Sequence, residues 1–224
     1  MAAKSSAPEK IRILIVDDHP MMREGLVGLI DAQPNLEVCG QAETAAQALD
    51  LIPSTRPGIV IGDITLPGKS GIELFKDIAA MYPRIITIAV SMHDESVYAE
   101  RALRAGARGY IMKKEGGKRI LEAIHRVLTG EVAVSEKISA QILRAFSGHA
   151  GEAQSPLHQL TDREFEVFEL IGRGMETARM GAALNISAKT IEVHRAHIRE
   201  KLGIKSGSEL IAYAARWAQS VDQK

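Results

Sequence analysis

The first half of the chain alternates between short apolar runs and apolar stripes at helical spacing. A run of about four to eight apolar, β-branched residues predicts a strand buried on both faces, and a stripe with the helical period predicts one buried helix face. The runs predict strands at 11–16, 36–41, 58–62, 85–90 and 109–112. The stripes that follow them predict helices at 20–30, 44–52, 71–81, 95–104 and 115–128.

Strands that alternate with helices favour a parallel sheet with helices on both of its faces. We therefore predict an α/β, doubly wound domain with a five-stranded parallel sheet in residues 10–128. Residues 129–156 differ in composition from the first domain. One short helix is predicted at 136–146, and a stretch of small and polar residues follows and ends at Pro156. We interpret 129–156 as an interdomain linker.

No strand signal remains beyond residue 160. Thr161 and Glu164 form the pattern of a capping box ahead of an apolar stripe, and glycines end that helix. Further helices are predicted at 176–184, 187–202 and 208–218. Short helices alone indicate a small all-α domain, which we assign to residues 157–224.

The composition excludes some classes of protein but does not indicate a particular function. The 224 residues carry 28 Lys and Arg against 28 Asp and Glu, so the total charge gives no hint of a nucleic-acid partner. A single cysteine excludes an intrachain disulfide, and no apolar run approaches the ~20 residues of a membrane span. The N-terminal segment, residues 1–10, lacks the apolar core of a secretory signal. We expect a cytoplasmic protein without a membrane partner.

Polar residues with distinct chemistry follow four of the predicted strands. Ligands of open parallel sheets collect beyond the carboxyl ends of the strands, so these side chains should meet at one edge. The set comprises three carboxylates, one hydroxyl and one ammonium group: Asp17, Asp18, Asp63, Ser91 and Lys113. Crowded carboxylates suit Mg²⁺, and one of them can then attack a phosphoryl group to form an acyl phosphate.

Four sequence blocks at these strand ends resemble the signature blocks of receiver domains, which have the flavodoxin-like fold. The blocks are VDDHP at 16–20, GDITLPG at 62–68, VSMH at 90–93 and GYIMK at 109–113. The resemblance covers residues 11 to about 128. It implies that Asp63 is the phospho-acceptor and that Lys113 pairs with it. It also implies that Ser91 and Tyr110 form the conformational switch and that Mg²⁺ is held by Asp17, Asp18, Asp63 and the backbone carbonyl of Thr65.

Two enzymatic alternatives fit the sequence less well. Haloacid-dehalogenase-type phosphatases also use an Asp nucleophile, but they need a second Asp two residues later, where this chain has Thr65. A nucleotide-binding site would need a Gly-rich loop after the first strand, and none follows Val16. We therefore expect a protein that is not an enzyme.

The predicted helix near 187–202 lies in a basic segment. Residues 186–205 contain Lys189, Arg195, Arg199, Lys201 and Lys205 against Glu192 and Glu200, a net charge of five minus two, or +3. Basic residues around a helix supply phosphate contacts, and residues aimed at base edges supply sequence choice. On charge alone, an ordinary solvated helix remains the alternative.

The motifs LTDRE at 160–164, ISAKTIEVHR at 186–195 and KLG at 201–203 resemble the LuxR-type helix-turn-helix. Together with the receiver blocks, they indicate the NarL/FixJ group of response regulators. The resemblance implies phosphate contacts near Lys189 and Thr190, and Glu192, Val193 and Ala196 facing the major groove, with Arg195 and Arg199 as further DNA contacts. The preceding helix departs from the usual Asn-Lys-Glu-Ile core.

These expectations define one main hypothesis. A sensor histidine kinase phosphorylates Asp63, and the switch lets the C-terminal domain dimerise and bind promoter DNA, with RNA polymerase as a further partner. The family resemblance implies a homodimer formed partly through the last helix, whose apolar stripe contains Leu210, Ile211, Ala214 and Trp217. The alternative is a phosphorylation-independent DNA-binding regulator that uses the receiver only as a dimerisation module.

Overall fold

A computed structural model of the protein describes residues 10–146 and 156–222. The chain divides into two compact units, Met1–Ala140 and Gln141–Lys224. The N-terminal segment before residue 10 and most of the predicted polar stretch, residues 147–155, lie outside the described residues. No helix in the described ranges is both long and apolar enough to cross a bilayer.

The first unit contains a five-stranded sheet in the order β2-β1-β3-β4-β5, in which every neighbouring pair is parallel. This confirms the predicted doubly wound fold. The strands are β1 Ile11–Val16, β2 Leu36–Ala42, β3 Ile59–Gly62, β4 Ile86–Ser91 and β5 Gly109–Met112. The helices are α1 Pro20–Asp31, α2 Ala45–Thr55, α3 Gly71–Met81, α4 Glu95–Arg104, α5 Gly117–Leu128 and α6 Glu136–Phe146, of which the last crosses into the second unit.

Apolar side chains cover both faces of this sheet, as the continuous apolar strands predict. One buried cluster joins strand residues such as Ile13 and Ile88 to Leu26 of α1 and Ile124 of α5. The other joins strand residues such as Val16 to α2 and α3. Because both faces are packed, polar side chains can gather only at the ends of the strands.

In the first unit, the predicted end of the second helix and the predicted start of the fifth are wrong by two or three residues. The second helix does not end at Ile52 but continues through Pro53 to Thr55, and the hydroxyls of Ser54 and Thr55 donate to the Leu51 carbonyl. The fifth helix does not begin at residue 115. A short 3₁₀ turn ends there, and Gly116, at φ 80°, separates it from α5.

The first part of the predicted linker packs against the edge of the sheet. Ala133 forms a parallel bridge with Gly109, in which Ala133 N–H donates to the Arg108 carbonyl over 2.8 Å and its own carbonyl accepts from Tyr110 N–H over 2.9 Å. Ser135 Oγ donates to Glu95 Oε1 at the start of α4, over 2.8 Å. We call residues 131–138 the edge strap. The compact unit thus extends past residue 128, while the functional boundaries of the domains stay predictions.

The second unit is helical throughout its described part, as predicted. A 3₁₀ turn at Pro156–Gln159 precedes α7 Asp162–Gly172, α8 Thr177–Ala183, α9 Ala188–Leu202 and α10 Gly207–Asp222. The capping box is present, because Thr161 and Glu164 each accept from the backbone N–H of the other. The last helix is longer at both ends than the predicted 208–218.

Helices α7 and α10 pack through aromatic side chains. The ring of Trp217 lies 5.4 Å from the rings of Phe165 and Phe168, edge-on to the first. Leu210 and Ala214 are fully buried, whereas Ile211 is 46% exposed. Most of the α10 stripe therefore packs within its own unit, and the predicted role of this helix in dimerisation is not needed to explain it.

Candidate functional site

The register of the sheet brings the predicted acidic residues together. Strands β1 and β3 pair with Val16 opposite Gly62, so the next residues, Asp17 and Asp63, leave the sheet side by side. Strands β4 and β5 pair with Ser91 opposite Met112, which places Lys113 just beyond β5. These residues converge at the carboxyl ends of the strands, where open α/β sheets bind their ligands.

Lys113 joins the two buried carboxylates. Its Nζ donates to Asp63 Oδ2 at 2.6 Å and lies 2.7 Å from Asp17 Oδ2. The side chains of all three residues are less than a tenth exposed, at 7% for Lys113, 4% for Asp63 and 3% for Asp17. A single ammonium group therefore neutralises part of the charge of two carboxylates that water reaches poorly.

Burial and the neighbouring charges shift the pKa values of both Asp63 and Lys113. Burial raises the pKa of Asp63 above its ordinary value, although the Lys113 ammonium opposes this and Asp17 adds to it. Burial lowers the pKa of Lys113, but the adjacent Asp63 and Asp17 carboxylates outweigh it and leave the pKa raised. Lys113 thus stays positively charged, and Asp63 ionises at a cost that a further cation would reduce.

A fourth residue joins the carboxylates at this edge. Oxygen or nitrogen atoms of Asp17, Asp18, His19 and Asp63 all lie within 4.8 Å of one another. His19 Nδ1 lies 2.8 Å from Asp18 Oδ1, and the Asp18 side chain is 36% exposed. Hard carboxylate oxygens around an opening to solvent fit Mg²⁺, which retains several waters when bound. The donor set present therefore suits the ion that the sequence predicted.

The predicted switch residues are linked through the loop after β4. His93 N–H donates to Ser91 Oγ at 3.2 Å, and Tyr110 OH donates to the His93 carbonyl at 2.9 Å. His93 Nε2 and Thr65 Oγ1 are hydrogen-bonded at 2.8 Å. The ring of Tyr110 is buried, at 2% exposed. One histidine thus touches both switch residues and the loop that follows Asp63.

Close backbone packing also positions Asp63. The start of α3 lies so near the loop that a Cβ on Gly71 would come within 1.9 Å of the Asp63 carbonyl oxygen. Gly71 N–H donates to the Ile64 carbonyl at 2.7 Å, and Thr65 N–H donates to Asp63 Oδ1 at 3.2 Å. Only glycine fits at position 71 without moving the loop that carries Asp63.

In the second unit, helix α9 has one buried face and one face open to solvent. Ser187 caps the helix by accepting from Thr190 N–H, and Gly203 ends it in the left-handed conformation, at φ 66°. Ile191 and Ile198 are fully buried. The predicted DNA contacts are all exposed or partly exposed, and they are Lys189, Thr190, Glu192, Val193, Arg195, Ala196 and Arg199.

Helix α9 is held to its neighbours by polar side chains as well. Lys201 Nζ donates to Glu164 Oε2 at 2.6 Å, which ties the end of α9 to the capping box of α7. At the other end, Thr177 of α8 donates to Glu192 Oε1 at 3.0 Å, and Arg195 donates to Thr177 Oγ1 at 3.1 Å. Glu192 and Arg195, which are predicted DNA contacts, are therefore both bonded to α8.

Sequence reasoning did not identify three residues of these sites. His19 was visible beside the Asp pair, and His93 followed the predicted switch serine, so both had a positional signal. Thr177 had none, because its contact with Glu192 joins residues fifteen positions apart through the turn between α8 and α9.

Each of the two units contains a segment that matches a known protein family. Residues 13–125 match the response regulator receiver domain family. Residues 158–214 match the family described as bacterial regulatory proteins, luxR family. The two matches lie within the two compact units.

Two relatives match the chain over nearly its whole length, and a solved structure matches part of it. The chain is 32% identical over 214 residues to the nitrate/nitrite response regulator protein NarL of Escherichia coli, covering 95% of this chain and 96% of NarL. It is 30% identical to the transcriptional regulatory protein DegU of Brevibacillus brevis, covering 90% and 92%. A solved LuxR-family response regulator from Aurantimonas is 36% identical, covering 62% of this chain and 99% of that one, with a TM-score of 0.57.

A more distant structure shares the whole fold. The RcsB response regulator of Salmonella typhimurium covers 93% of this chain and 98% of its own, at 22% identity and a TM-score of 0.67. The fold, the acidic strand-end site and these matches define a two-component response regulator with a receiver domain and a DNA-binding LuxR-type domain. Within that class, the chain belongs to the NarL/FixJ group.

Proposed function

We propose that the protein is a phosphorylation-dependent regulator of transcription in which Asp63 accepts a phosphoryl group from a sensor histidine kinase. An Asp63 carboxylate oxygen attacks phosphorus, the bond between phosphorus and the donor's imidazole nitrogen breaks, and the electron pair returns to that nitrogen. The observation that supports this best is the buried contact of Lys113 Nζ with both Asp63 and Asp17. A fixed ammonium group at this place offsets charge on the transferred oxygens.

The proposed metal is Mg²⁺, held by Asp17, Asp18, Asp63 and the backbone carbonyl of Thr65. When bound, it supplies positive charge to the phosphoryl oxygens and relieves the repulsion between the carboxylates. Asp17 and Asp18 bind and orient the ion, and Lys113, just beyond β5 at the same edge of the sheet, adds a second positive charge. His19 Nδ1 lies close enough to Asp18 Oδ1 to orient this proposed metal ligand.

Ser91 and Tyr110 are the proposed switch. The Ser91 hydroxyl, which accepts from His93 N–H, would donate its proton to a phosphoryl oxygen, and its movement toward that oxygen would alter the loop to which Tyr110 is bonded. Phosphorylation biases an existing equilibrium in this scheme, because it changes the relative free energies of two loop conformations.

The output is proposed to be promoter binding by a homodimer of the C-terminal domain, residues 157–224, with RNA polymerase as a further partner. Residues 10–128 act as the receiver and 129–156 as the linker. Family membership and the single cysteine support a cytoplasmic location.

The test compares DNA binding by phosphorylated and unphosphorylated protein. A site is first selected from random duplex DNA, and binding is then measured by fluorescence anisotropy with and without a small-molecule phosphodonor and Mg²⁺. We expect the donor to tighten binding at least tenfold for the wild type and to have no effect on Asp63→Asn. Equal tightening in Asp63→Asn would contradict the proposal.

A second candidate is a phosphorylation-independent regulator whose receiver serves as a dimerisation module. The burial of the Tyr110 ring favours it, because the ring already lies inside the domain with its hydroxyl bonded. Strong DNA binding by the wild type that the phosphodonor leaves unchanged would support this candidate.

A further inference from the structure

Glu192 lies on the open side of α9 but its carboxylate is not a freely moving group. The side chain is 59% exposed. Thr177 Oγ1, at the first residue of α8, donates to Glu192 Oε1 at 3.0 Å. The carboxylate is thus tied to the neighbouring helix and retains a large surface toward solvent.

Arg195 fixes the direction of the threonine hydroxyl. Its Nη1 donates to Thr177 Oγ1 at 3.1 Å and lies 3.6 Å from Glu192 Oε1. Because a lone pair of Oγ1 accepts from Arg195, the hydroxyl proton is available for Glu192. The Arg195 side chain is only 18% exposed, so it is largely committed to this arrangement. We call Thr177, Glu192 and Arg195 the carboxylate clamp.

The clamp holds Glu192 through one of its two carboxylate oxygens. Within the described residues, the hydrogen bond from Thr177 and the approach of Arg195 both involve Oε1. An ionised carboxylate only accepts hydrogen bonds, so Oε2 needs a donor from outside. Restraint by Thr177 and Arg195 lowers the entropy that Glu192 loses on binding, which favours a specific contact over a loose one.

We infer that Glu192 selects a cytosine in the DNA site by accepting a hydrogen bond from its N4 amino group, with Thr177 and Arg195 as positioning residues. This rests on the proposed DNA-binding function. In the major groove, guanine and thymine present acceptors that repel a carboxylate. Adenine presents its amino group beside the N7 acceptor, whereas cytosine presents only the amino donor.

The nearby charges fit this role. Lys189 lies one turn before Glu192 and is exposed, and Arg199 lies two turns after it and is partly exposed. These basic side chains, before and after Glu192 on the helix, hold the DNA phosphates near α9. They also offset the repulsion between the phosphates and the Glu192 carboxylate. A carboxylate in such surroundings reduces overall affinity little while it discriminates between bases.

The experiment uses the full chain and the selected DNA site, with each base pair replaced in turn by the other three. Anisotropy titrations, with the phosphodonor and Mg²⁺ present throughout, measure the affinity of the wild type, Glu192→Ala, Glu192→Gln, Thr177→Val and Lys189→Gln for every duplex. For the wild type, we expect a preference of about tenfold for cytosine at one position in each half-site. Glu192→Ala should lose this preference, and Glu192→Gln should prefer adenine there.

The Thr177→Val variant tests whether Thr177 positions Glu192. Thr177→Val should reduce the cytosine preference several-fold while leaving affinity for random DNA and its salt dependence unchanged. The control, Lys189→Gln, should weaken binding to all duplexes equally and lower the salt slope by about one. Circular dichroism confirms that each variant is folded.

Two outcomes would overturn the inference and are distinguishable. If Glu192→Ala keeps the wild-type base preferences at every position, Glu192 does not select a base, although DNA binding stands. If the wild type shows no preference for any selected site over random DNA, the proposed function fails together with the inference.

Discussion

The Nζ atom of Lys113 donates a hydrogen bond to Oδ2 of Asp63 over 2.6 Å, in a place where both side chains are almost fully buried. Removing both charges from water costs free energy that their attraction offsets only in part. The raised pKa of Asp63, caused first by its burial, shows the remaining cost on the carboxylate side. The site therefore gains from any further cation that reaches the carboxylates.

Mg²⁺ should accordingly stabilise the folded protein. At a Mg²⁺ concentration of 100 times Kd, binding to the native state adds about 2.7 kcal/mol to the free energy of unfolding. Asp18→Ala should lose most of this gain without damaging the fold, because the Asp18 side chain is partly exposed. Thermal unfolding with and without Mg²⁺ measures it, and Asp50→Ala, an exposed carboxylate on α2, is the control. Equal Mg²⁺ stabilisation of Asp18→Ala and wild type would exclude the assignment of Asp18.

Without Mg²⁺, Asp63→Asn should be more stable than the wild type at neutral pH. A carboxyl whose pKa is raised by folding is penalised when ionised, and the penalty is complete above the folded pKa. It disappears as the pH falls through the folded pKa toward the unfolded value. Asn carries no such penalty, so the melting temperature should rise by roughly 2 °C. The difference should shrink as the pH is lowered, and a lower melting temperature for Asp63→Asn would contradict the burial argument.

The edge strap should order the start of α6. Ser135 Oγ accepts from Ile138 N–H at 3.2 Å and donates to Glu95 Oε1, so Ser135→Ala removes a helix cap and the bond to α4 together. Loss of such a cap costs about 1 kcal/mol. Hydrogen exchange should show faster exchange of the amides of Ile138 and Ser139 in Ser135→Ala.

The same strap experiment has an internal control. Glu95→Gln retains an oxygen that can accept from Ser135, so it should change exchange little, whereas Glu95→Ala should resemble Ser135→Ala. Unchanged exchange in both Ser135→Ala and Glu95→Ala would show that the bond between Ser135 and Glu95 is not needed, and that the backbone bridge of Ala133 and the apolar residues hold the strap.

Glu164 should stabilise the second unit in a pH-dependent way. Burial raises its pKa, but hydrogen bonds from Lys201 and from Thr161 outweigh this and leave the pKa lowered. A lowered pKa gives stability that is complete above the unfolded pKa and is lost as the pH falls through the folded value. Glu164→Gln should therefore cost about 1–2 kcal/mol at pH 7 and little in acid. Chemical unfolding at several pH values measures this, with Glu200→Gln as the exposed control, and a cost that does not vary with pH would be inconsistent with the ion pair.

The strand-end site was predictable because it depends on topology rather than on detailed packing. Once β1 and β3 are recognised as parallel neighbours, Asp17 and Asp63 must emerge at the same edge. The caps of α7 and α9 were predictable for a related reason, since a cap bonds residues only three positions apart.

Contacts between loops that lie far apart along the chain left no such signal in the sequence. The bond between Thr65 and His93 joins residues twenty-eight positions apart, and the edge strap meets β5 through the backbone of Ala133. Hydrophobic periodicity indicates which face of an element is buried, but it does not indicate which loops meet. The extension of α2 through Pro53 was missed because it depends on side-chain hydroxyls that bond the last turn.

Asp63 is the proposed phospho-acceptor, and intact-protein mass spectrometry tests this assignment most directly. Wild type and Asp63→Asn are incubated with a small-molecule phosphodonor, with Mg²⁺ and with Mg²⁺ removed by a chelator. We predict one phosphoryl adduct on the wild type that requires Mg²⁺ and is absent from Asp63→Asn. An adduct of equal yield on Asp63→Asn, or no adduct on the wild type under any condition, would contradict the account.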